Sequence, residues 1–338
     1  MADVLCLDPT YSNTRLVTRG KPVIESPPDS KLRSMLFLPP NPERQGEGGL
    51  RTKGYFKQSW PDKPLISVIT VCLNAVQFIE QTIQSVLSQT YPHIEYIIID
   101  GGSKDGTVEI IRKYADRLAY WHSKPDRGLA HAFNLGLSQA HGDWIIFLNA
   151  DDFFLKPTVI DQMAPHLVDH ESADVVFGTT IFMTNQVNPV PVPMRKIYGS
   201  PWHWRDFRWS DTIPHQAAFT NRRYFNRVGR FDEAFRIAVD YEFFLRGHKT
   251  LRAKYIAIHI SGMREEGLSG RSVFHTFREC RMAHYKNKAL PPWAAWMNFF
   301  WQLGRYYWGR LGHKILGPLA HYINWPGRNT KQTYEKYL

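Results

Sequence analysis

Between residues 65 and 182 the chain alternates short, uniformly apolar runs with longer stretches whose apolar residues recur at helical spacing. LISVITVCL (65–73) reads as a buried strand rich in β-branched residues. From Asn74 to about Gln89, the residues Phe78, Ile79, Ile83, Val86 and Leu87 predict one apolar helix face. YPHIEYIIID predicts a second strand ending at Asp100. GGSKDGT is a turn in which Ser103 or Asp105 can cap a helix TVEIIRKYADRL. A short strand LAYWHS, a loop KPDRG and a helix over 129–139 follow. DWIIFLNA is the next strand, Lys156–Leu167 the next helix, and DVVFGTTIF closes the series.

Apolar strands alternating with amphipathic helices predict an α/β fold with a mostly parallel sheet covered on both faces. Ligands of such open sheets bind beyond the carboxyl ends of the strands. Asn74, Asp100 and the pair Asp151/Asp152 all fall at such ends. The stretch WIIFLNADDFF carries Asn149, Asp151 and Asp152 directly after a buried run, and two adjacent carboxylates repel unless something positive is near. Asp152 could be a solvated turn residue. The alternative is an oxygen-seeking cation, Mg²⁺ or Mn²⁺, shared with a diphosphate and offsetting charge on that group as it departs. Neither a G-x-G-x-x-G fingerprint nor a G-x-x-x-x-G-K-[ST] phosphate loop is present.

Three stretches in order carry a resemblance. They are ISVITVCLNAVQFIEQTIQSVLSQTYPHIEYIIIDGGSKDGT, KPDRGLAHAFNLGLSQAHGDWIIFLNADD and GRFDEAFRIAVDYEFFLR, spanning about residues 65–250. Together they resemble the catalytic core of the inverting glycosyltransferases of family 2, of the bacterial polysaccharide-biosynthesis type. The resemblance implies a glycosyltransferase-A fold, with a Rossmann-like central sheet. It implies that Thr70, Val71, Cys72 and Asn74 line a nucleoside pocket and that Asp100 accepts a hydrogen bond from the base. Asn149 would face the donor, Asp151 would lie near ribose and diphosphate, and Asp152 would be the principal metal ligand. Arg127 and Asn134 would close over the donor; Arg127 can meet phosphate bidentately, or form an ion pair within the protein. His131 stands where members often carry an acid, and can equally be a partly exposed helical histidine.

Inverting transfer to an alcohol needs one base on the acceptor side, and a suitably held carboxylate can serve. Asp240, in IAVDYEFFLR, matches the position where the family supplies it, with Glu242 in reserve; a buried helix cap is the plain alternative for Asp240. Two positions apart on a helix start, the two acids point in different directions. His215 and Gln216, at the start of an expected strand, would contact acceptor or donor sugar. His259 could join Asp151 and Asp152 at the metal, although a histidine after a strand is more often structural. The loop GMREEGLSGR, with Arg264, Ser269 and Arg271, combines mobility with anion-binding capacity. Direct displacement requires no serine or cysteine nucleophile, so Cys72 reads as a small buried hydrophobe.

The 338 residues carry a net charge of +11, and residues 281–338 hold nine Lys or Arg against the single acid Glu335. Charge alone leaves nucleic acid, anionic lipid and phosphorylated small molecules open. The same segment carries Trp293, Trp296, Trp301, Trp308 and Trp325, and residues 289–304 contain no charged side chain. Sixteen residues fall short of a membrane span. Trp and Tyr mixed with Arg and Lys describe a segment lying in a headgroup layer; the alternatives are a helical hairpin packed on the core or an oligomer interface. No nucleic-acid module is recognisable. Three scattered cysteines fit a reducing compartment, and nothing at the N-terminus reads as a secretory leader.

The expected organisation is therefore an irregular, loosely packed arm (1–63), with a short strand near 34–38, followed by a nucleotide-sugar-binding half (64–180). An acceptor-side half with the base (181–280) and a helical segment (281–338) that is aromatic and basic complete it. The protein would act in the cytoplasm, peripheral on the cytoplasmic face of the membrane. It would take a UDP-, GDP- or dTDP-sugar as donor and a saccharide or polyprenyl-linked saccharide as acceptor. A nucleotidyltransferase or a basic nucleic-acid-binding protein are the rival readings.

Overall fold

The computed structural model describes residues 3–23, 28–169, 171–185, 193–264 and 272–316, with backbone alone for 193–196 and 309–316. Its strands are β1 (Val4–Leu5), β2 (Val17–Thr18), β3 (Gly46–Gly48), β4 (Ile66–Cys72), β5 (Ile94–Asp100) and β6 (Tyr120–Ser123). After these come β7 (Trp144–Phe147), β8 (Phe153–Phe154), β9 (Val175–Met183), β10 (Pro193–Tyr198), β11 (Ala218–Asn221) and β12 (Ala253–Arg264). The helices are α1 (Ile79–Leu87), α2 (Thr107–Lys113), α3 (Leu129–Gln139), α4 (Val159–Met163) and α5 (Trp204–Phe207). They continue with α6 (Arg222–Val228), α7 (Val239–Arg246), α8 (Val273–Asn287) and α9 (Pro292–Leu316).

Every residue of β4 and β5 is buried, as unbroken apolar runs require when helices cover both sheet faces. The large sheet runs β3-β6-β5-β4-β7-β11-β9-β12-β8, with β10 on β9. Parallel pairing holds within β6-β5-β4-β7 and again between β9 and β12. The remaining ladders are antiparallel, so the sheet is mixed rather than mostly parallel. The strand β11 has the largest consequence. Because it runs against β7, pairing Thr220 with Ile145, the turn that precedes β11 lands beside the chain that leaves β7.

Several expected elements are shorter than the periodicity predicts. Asn74 takes a left-handed φ of 51°, and the helix begins only at Ile79. The predicted helix over 156–167 becomes α4 and a 3₁₀ turn, with Pro165 at the start of that turn. Asp105 Oδ1 accepts from Thr107 N at 3.0 Å at the start of α2, whereas Ser103 turns to Asp100. The arm has no strand at 34–38; its sheet strand is β3, paired with β6. It is irregular but packed. Asn13 accepts from Tyr96 N, and Lys57 Nζ, buried, donates to the carbonyls of Ser12, Arg15 and Pro92. The expected boundaries at 180 and 280 fall inside β9 and α8.

Two apolar clusters fill the faces of the sheet. One ends in a group of rings, with Phe133 4.5 Å from Phe147, Phe147 5.1 Å from Phe231, and Phe231 4.6 Å from Phe243 (centroid distances). These rings line a small pit together with His215 and Asp240. Tight helix–sheet approach also matters here: a Cβ on Gly136 of α3 would lie 2.4 Å from Ile69 Cγ2.

Candidate active site

The loops after β4 and β5 are laced together. Asn74 N donates to Ser103 Oγ (2.7 Å), Lys104 N to Asn74 Oδ1 (2.9 Å), and Ala75 N to Thr107 Oγ1 (2.8 Å). Asp100 is fully buried and accepts from Gly102 N (3.0 Å), Ser103 N (2.9 Å), Ser123 Oγ (2.6 Å) and Ser103 Oγ. Its carboxylate therefore braces its own turn, whereas the resemblance assigns it to a base. Thr70 bonds Tyr96 Oη at 3.0 Å, and Val71 and Cys72 are buried. Burial, and then the Asp100 charge, push the Cys72 thiol well above its ordinary value. These residues form the floor beneath the strand ends, and Asn74 stands exposed at the rim.

At the end of β7, Thr82 Oγ1 of α1 donates to the carbonyls of Ala150 (2.8 Å) and Asp152 (2.7 Å), fixing the acidic turn. Asp152 is buried, and burial followed by the Asp151 charge pushes its carboxyl well above the usual range. Its Oδ1, like Asn149 Oδ1, is a buried oxygen with no hydrogen-bond partner among the described residues. Arg264, from the end of β12, supplies positive charge to both acids. Among the described residues no three His, Cys, Asp or Glu side chains form a metal cage. The expected metal role of His259 therefore gains no geometry; its Nδ1 lies 2.6 Å from Thr179 Oγ1. The unpartnered oxygens do suit a hard cation that takes the rest of its shell from phosphates.

The structure places His215 in a 3₁₀ turn (His215–Ala217), not in a strand, and brings it between the two groups of acids. Its Nε2 lies 3.1 Å from Asn149 Nδ2, and its Nδ1 lies 2.8 Å from Asp240 Oδ2. Side-chain exposure is 21% for His215 and 20% for Asp240, so both can be reached from the cleft. Burial opposes charge on either group, but their mutual attraction outweighs it, raising His215 and lowering Asp240. Asp240 opens α7. Glu279 of α8 accepts from Arg236 N (3.1 Å), Ile237 N (2.8 Å) and Ala238 N (2.9 Å), bracing the turn that leads into α7.

Glu242 is no reserve base. It is fully buried, paired with Arg246 (Nε–Oε1 3.0 Å) and bonded by Asn287 Nδ2 (3.1 Å), because a two-residue step on a helix turns it away from Asp240. Asn134 is likewise structural: it exchanges two 2.9 Å hydrogen bonds with the backbone of Phe231. Arg127, exposed, pairs with Glu233 at 2.6 Å, and His131 Nδ1 accepts from Arg127 N at 3.2 Å. Gln216 is buried beside Met263, whereas His215 stays partly exposed. Ser269 and Arg271 lie outside the described residues.

Asp211 escaped the reading of the sequence. It accepts from Ile213 N (3.1 Å), and burial followed by the Asp240 charge pushes its carboxyl up to about 7. The signal was an acid four residues before His215, unremarkable without the fold.

Comparisons of sequence agree on a glycosyltransferase. The family model described as glycosyl transferase family 2 matches residues 67–229. An uncharacterized glycosyltransferase of Mycobacterium tuberculosis is 33% identical over 188 residues, covering 54% of this chain and 68% of its own. A PGL/p-HBAD biosynthesis glycosyltransferase of Mycobacterium bovis is 27% identical over 209 residues, covering 60% and 78%. Among solved structures, S. aureus TarS 1-349 in complex with UDP-GlcNAc has a TM-score of 0.51 at 20% identity, covering 77% of this chain and 78% of that one. That likeness concerns the fold alone.

Proposed function

The chain belongs to glycosyltransferase family 2, and from that premise we propose that it transfers a hexose-type unit, with inversion, from a nucleotide diphosphate sugar to a hydroxyl group of a saccharide or lipid-linked saccharide. The observation that carries the reading is the continuous line Asn149–His215–Asp240, which joins the acidic turn after β7 to a reachable carboxylate.

In this mechanism Asp240 accepts the proton of the acceptor hydroxyl as its oxygen attacks the anomeric carbon. The bond from that carbon to the diphosphate breaks on the opposite side, and the diphosphate leaves with the electron pair. His215 holds Asp240 ionised and in place until the proton arrives. Asp152, with Asp151 and Asn149 beside it, would hold Mg²⁺ or Mn²⁺ against the diphosphate. When bound, the cation offsets the charge that grows on the leaving group. Arg264 adds fixed positive charge behind the same acids. The donor base rests on the floor built by Thr70–Cys72 and Asp100, with Asn74 at its edge.

A role in glycan assembly accords with this reading, since the relatives include a glycosyltransferase named for PGL/p-HBAD biosynthesis. The test is a screen of UDP-, GDP- and dTDP-sugars for metal-dependent binding and hydrolysis. Metal-dependent binding of one class is expected. Failure of every nucleotide sugar to bind with Mg²⁺ or Mn²⁺ present would overturn the proposal.

A further inference from the structure

The amphipathic pattern of α9 is inverted. Trp293, Trp296, Met297, Phe300, Trp301, Tyr307 and Trp308 form its exposed stripe at helical spacing, with Trp293 66% and Phe300 60% exposed. The side facing the protein offers Ala294, Ala295, Asn298 and Phe299. An apolar stripe of this kind in water marks a surface that something covers.

The choice of occupant follows from charge and composition. Residues 281–338 hold nine Lys or Arg and one acid, so two copies meeting through this segment would bring like charges together. Arg281 lies 3.8 Å above the Trp296 ring and Arg305 4.8 Å from that of Trp301, setting guanidinium groups among the indoles. Aromatic rings interleaved with arginine match the boundary between acyl chains and anionic headgroups. No helix among the described residues is long and apolar enough to cross a bilayer.

The inner side of α9, with α8 before it, holds the segments that carry His215 and Asp240. Asn298 Nδ2 and Gln302 Nε2 donate to the Trp209 carbonyl at 2.9 and 3.2 Å, two residues before Asp211 and six before His215. Arg208 Nη1 donates to the Ala289 carbonyl at 3.3 Å. On α8, Glu279 holds the three backbone N–H groups before Asp240 noted above. We propose that α9 docks its aromatic face on an anionic bilayer surface, and that through Asn298 and Glu279 this docking steadies the 207–217 and 236–240 segments that carry His215 and Asp240. The inference deepens the proposed transfer by placing its acceptor side at a lipid interface.

The test needs no sugar. The 338-residue chain is floated with phosphatidylcholine vesicles, with and without phosphatidylglycerol. Partitioning about tenfold stronger onto the anionic vesicles, weakening with salt, is expected. A variant with Trp296→Ser, Phe300→Ser and Trp301→Ser should lose about tenfold in partitioning while keeping its thermal unfolding transition. Hydrogen exchange of amides in 207–217 and 236–240 should slow on the vesicles. In Asn298→Leu with Gln302→Leu, vesicle binding should persist and the added protection of 207–217 should vanish. Undiminished binding by the triple variant, a dimer that hides the stripe and ignores vesicles, or exchange unchanged by docking would each overturn the proposal. None of these outcomes bears on whether the protein binds a nucleotide sugar.

Discussion

Asp240 Oδ2 and His215 Nδ1 lie 2.8 Å apart although 25 residues separate them, one at the first turn of α7 and the other just before β11. With Nδ1–H donated to Asp240, the neutral ring accepts from Asn149 Nδ2 at its other nitrogen. Turning the Asn149 amide over would present its Oδ1, otherwise without a partner, to a protonated ring.

Division of labour between the two acids is the first consequence. Asp240→Asn should reduce sugar transfer by roughly 10²–10⁴-fold while leaving donor affinity within about twofold of wild type. Asp152→Asn should instead weaken metal-dependent donor binding. Calorimetric titration of the donor beside transfer assays separates the two, and equal loss of donor affinity in both variants would refute the assignment.

Chelation gives an independent check on Asp152. Removing divalent ions should lower donor affinity of the wild type to that of Asp152→Asn, and should change the variant little. Titration with donor in chelator and in excess Mn²⁺ reads this directly. Tight donor binding by wild type in chelator would contradict the role given to the acidic turn.

Asp211 should reveal a stability cost at the site. Its folded carboxyl sits at about 7, above the roughly 3.9 of an unfolded chain, so folding favours its protonated form. Its contribution is fully present below about pH 4 and is lost as pH rises through 7. Asp211→Asn should thus melt higher than wild type at pH 8, by roughly 2–4 °C per kcal/mol gained, with the two curves converging near pH 4. A lower melting temperature at pH 8 would count against this account.

Glu95 has the opposite sign. Buried on β5, it meets Arg51, His141 N (2.8 Å) and Ser67 Oγ (2.6 Å). Burial raises its carboxyl, but Arg51 and His141 outweigh that and hold it far below the usual range. Its stabilisation is present above the unfolded value of about 4.3 and is lost as pH falls below it. Glu95→Gln should cost about 3–5 kcal/mol at pH 7 in urea unfolding, with the difference shrinking toward pH 3. A pH-independent difference would contradict the pairing.

Much of this molecule follows from local pattern. Unbroken runs such as IIIID and WIIF name the inner strands because only a strand covered on both faces tolerates them. Strand polarity then sends Asn74, Asp100 and Asp151/Asp152 toward one edge, and the resemblance to family 2 marks Asp240 as the candidate base. What periodicity could not decide was partnership. Whether Asp100 and Asn134 face a ligand or their own backbone, and whether Glu242 or Asp240 is reachable, depends on contacts between residues far apart in the chain. The antiparallel insertion of β11 decided that His215 meets Asn149, and Glu279 of α8 decided how the turn before Asp240 is held. Neither leaves a mark in local sequence, since hydrophobic alternation reports which face of an element is buried and carries no information about what lies across from it.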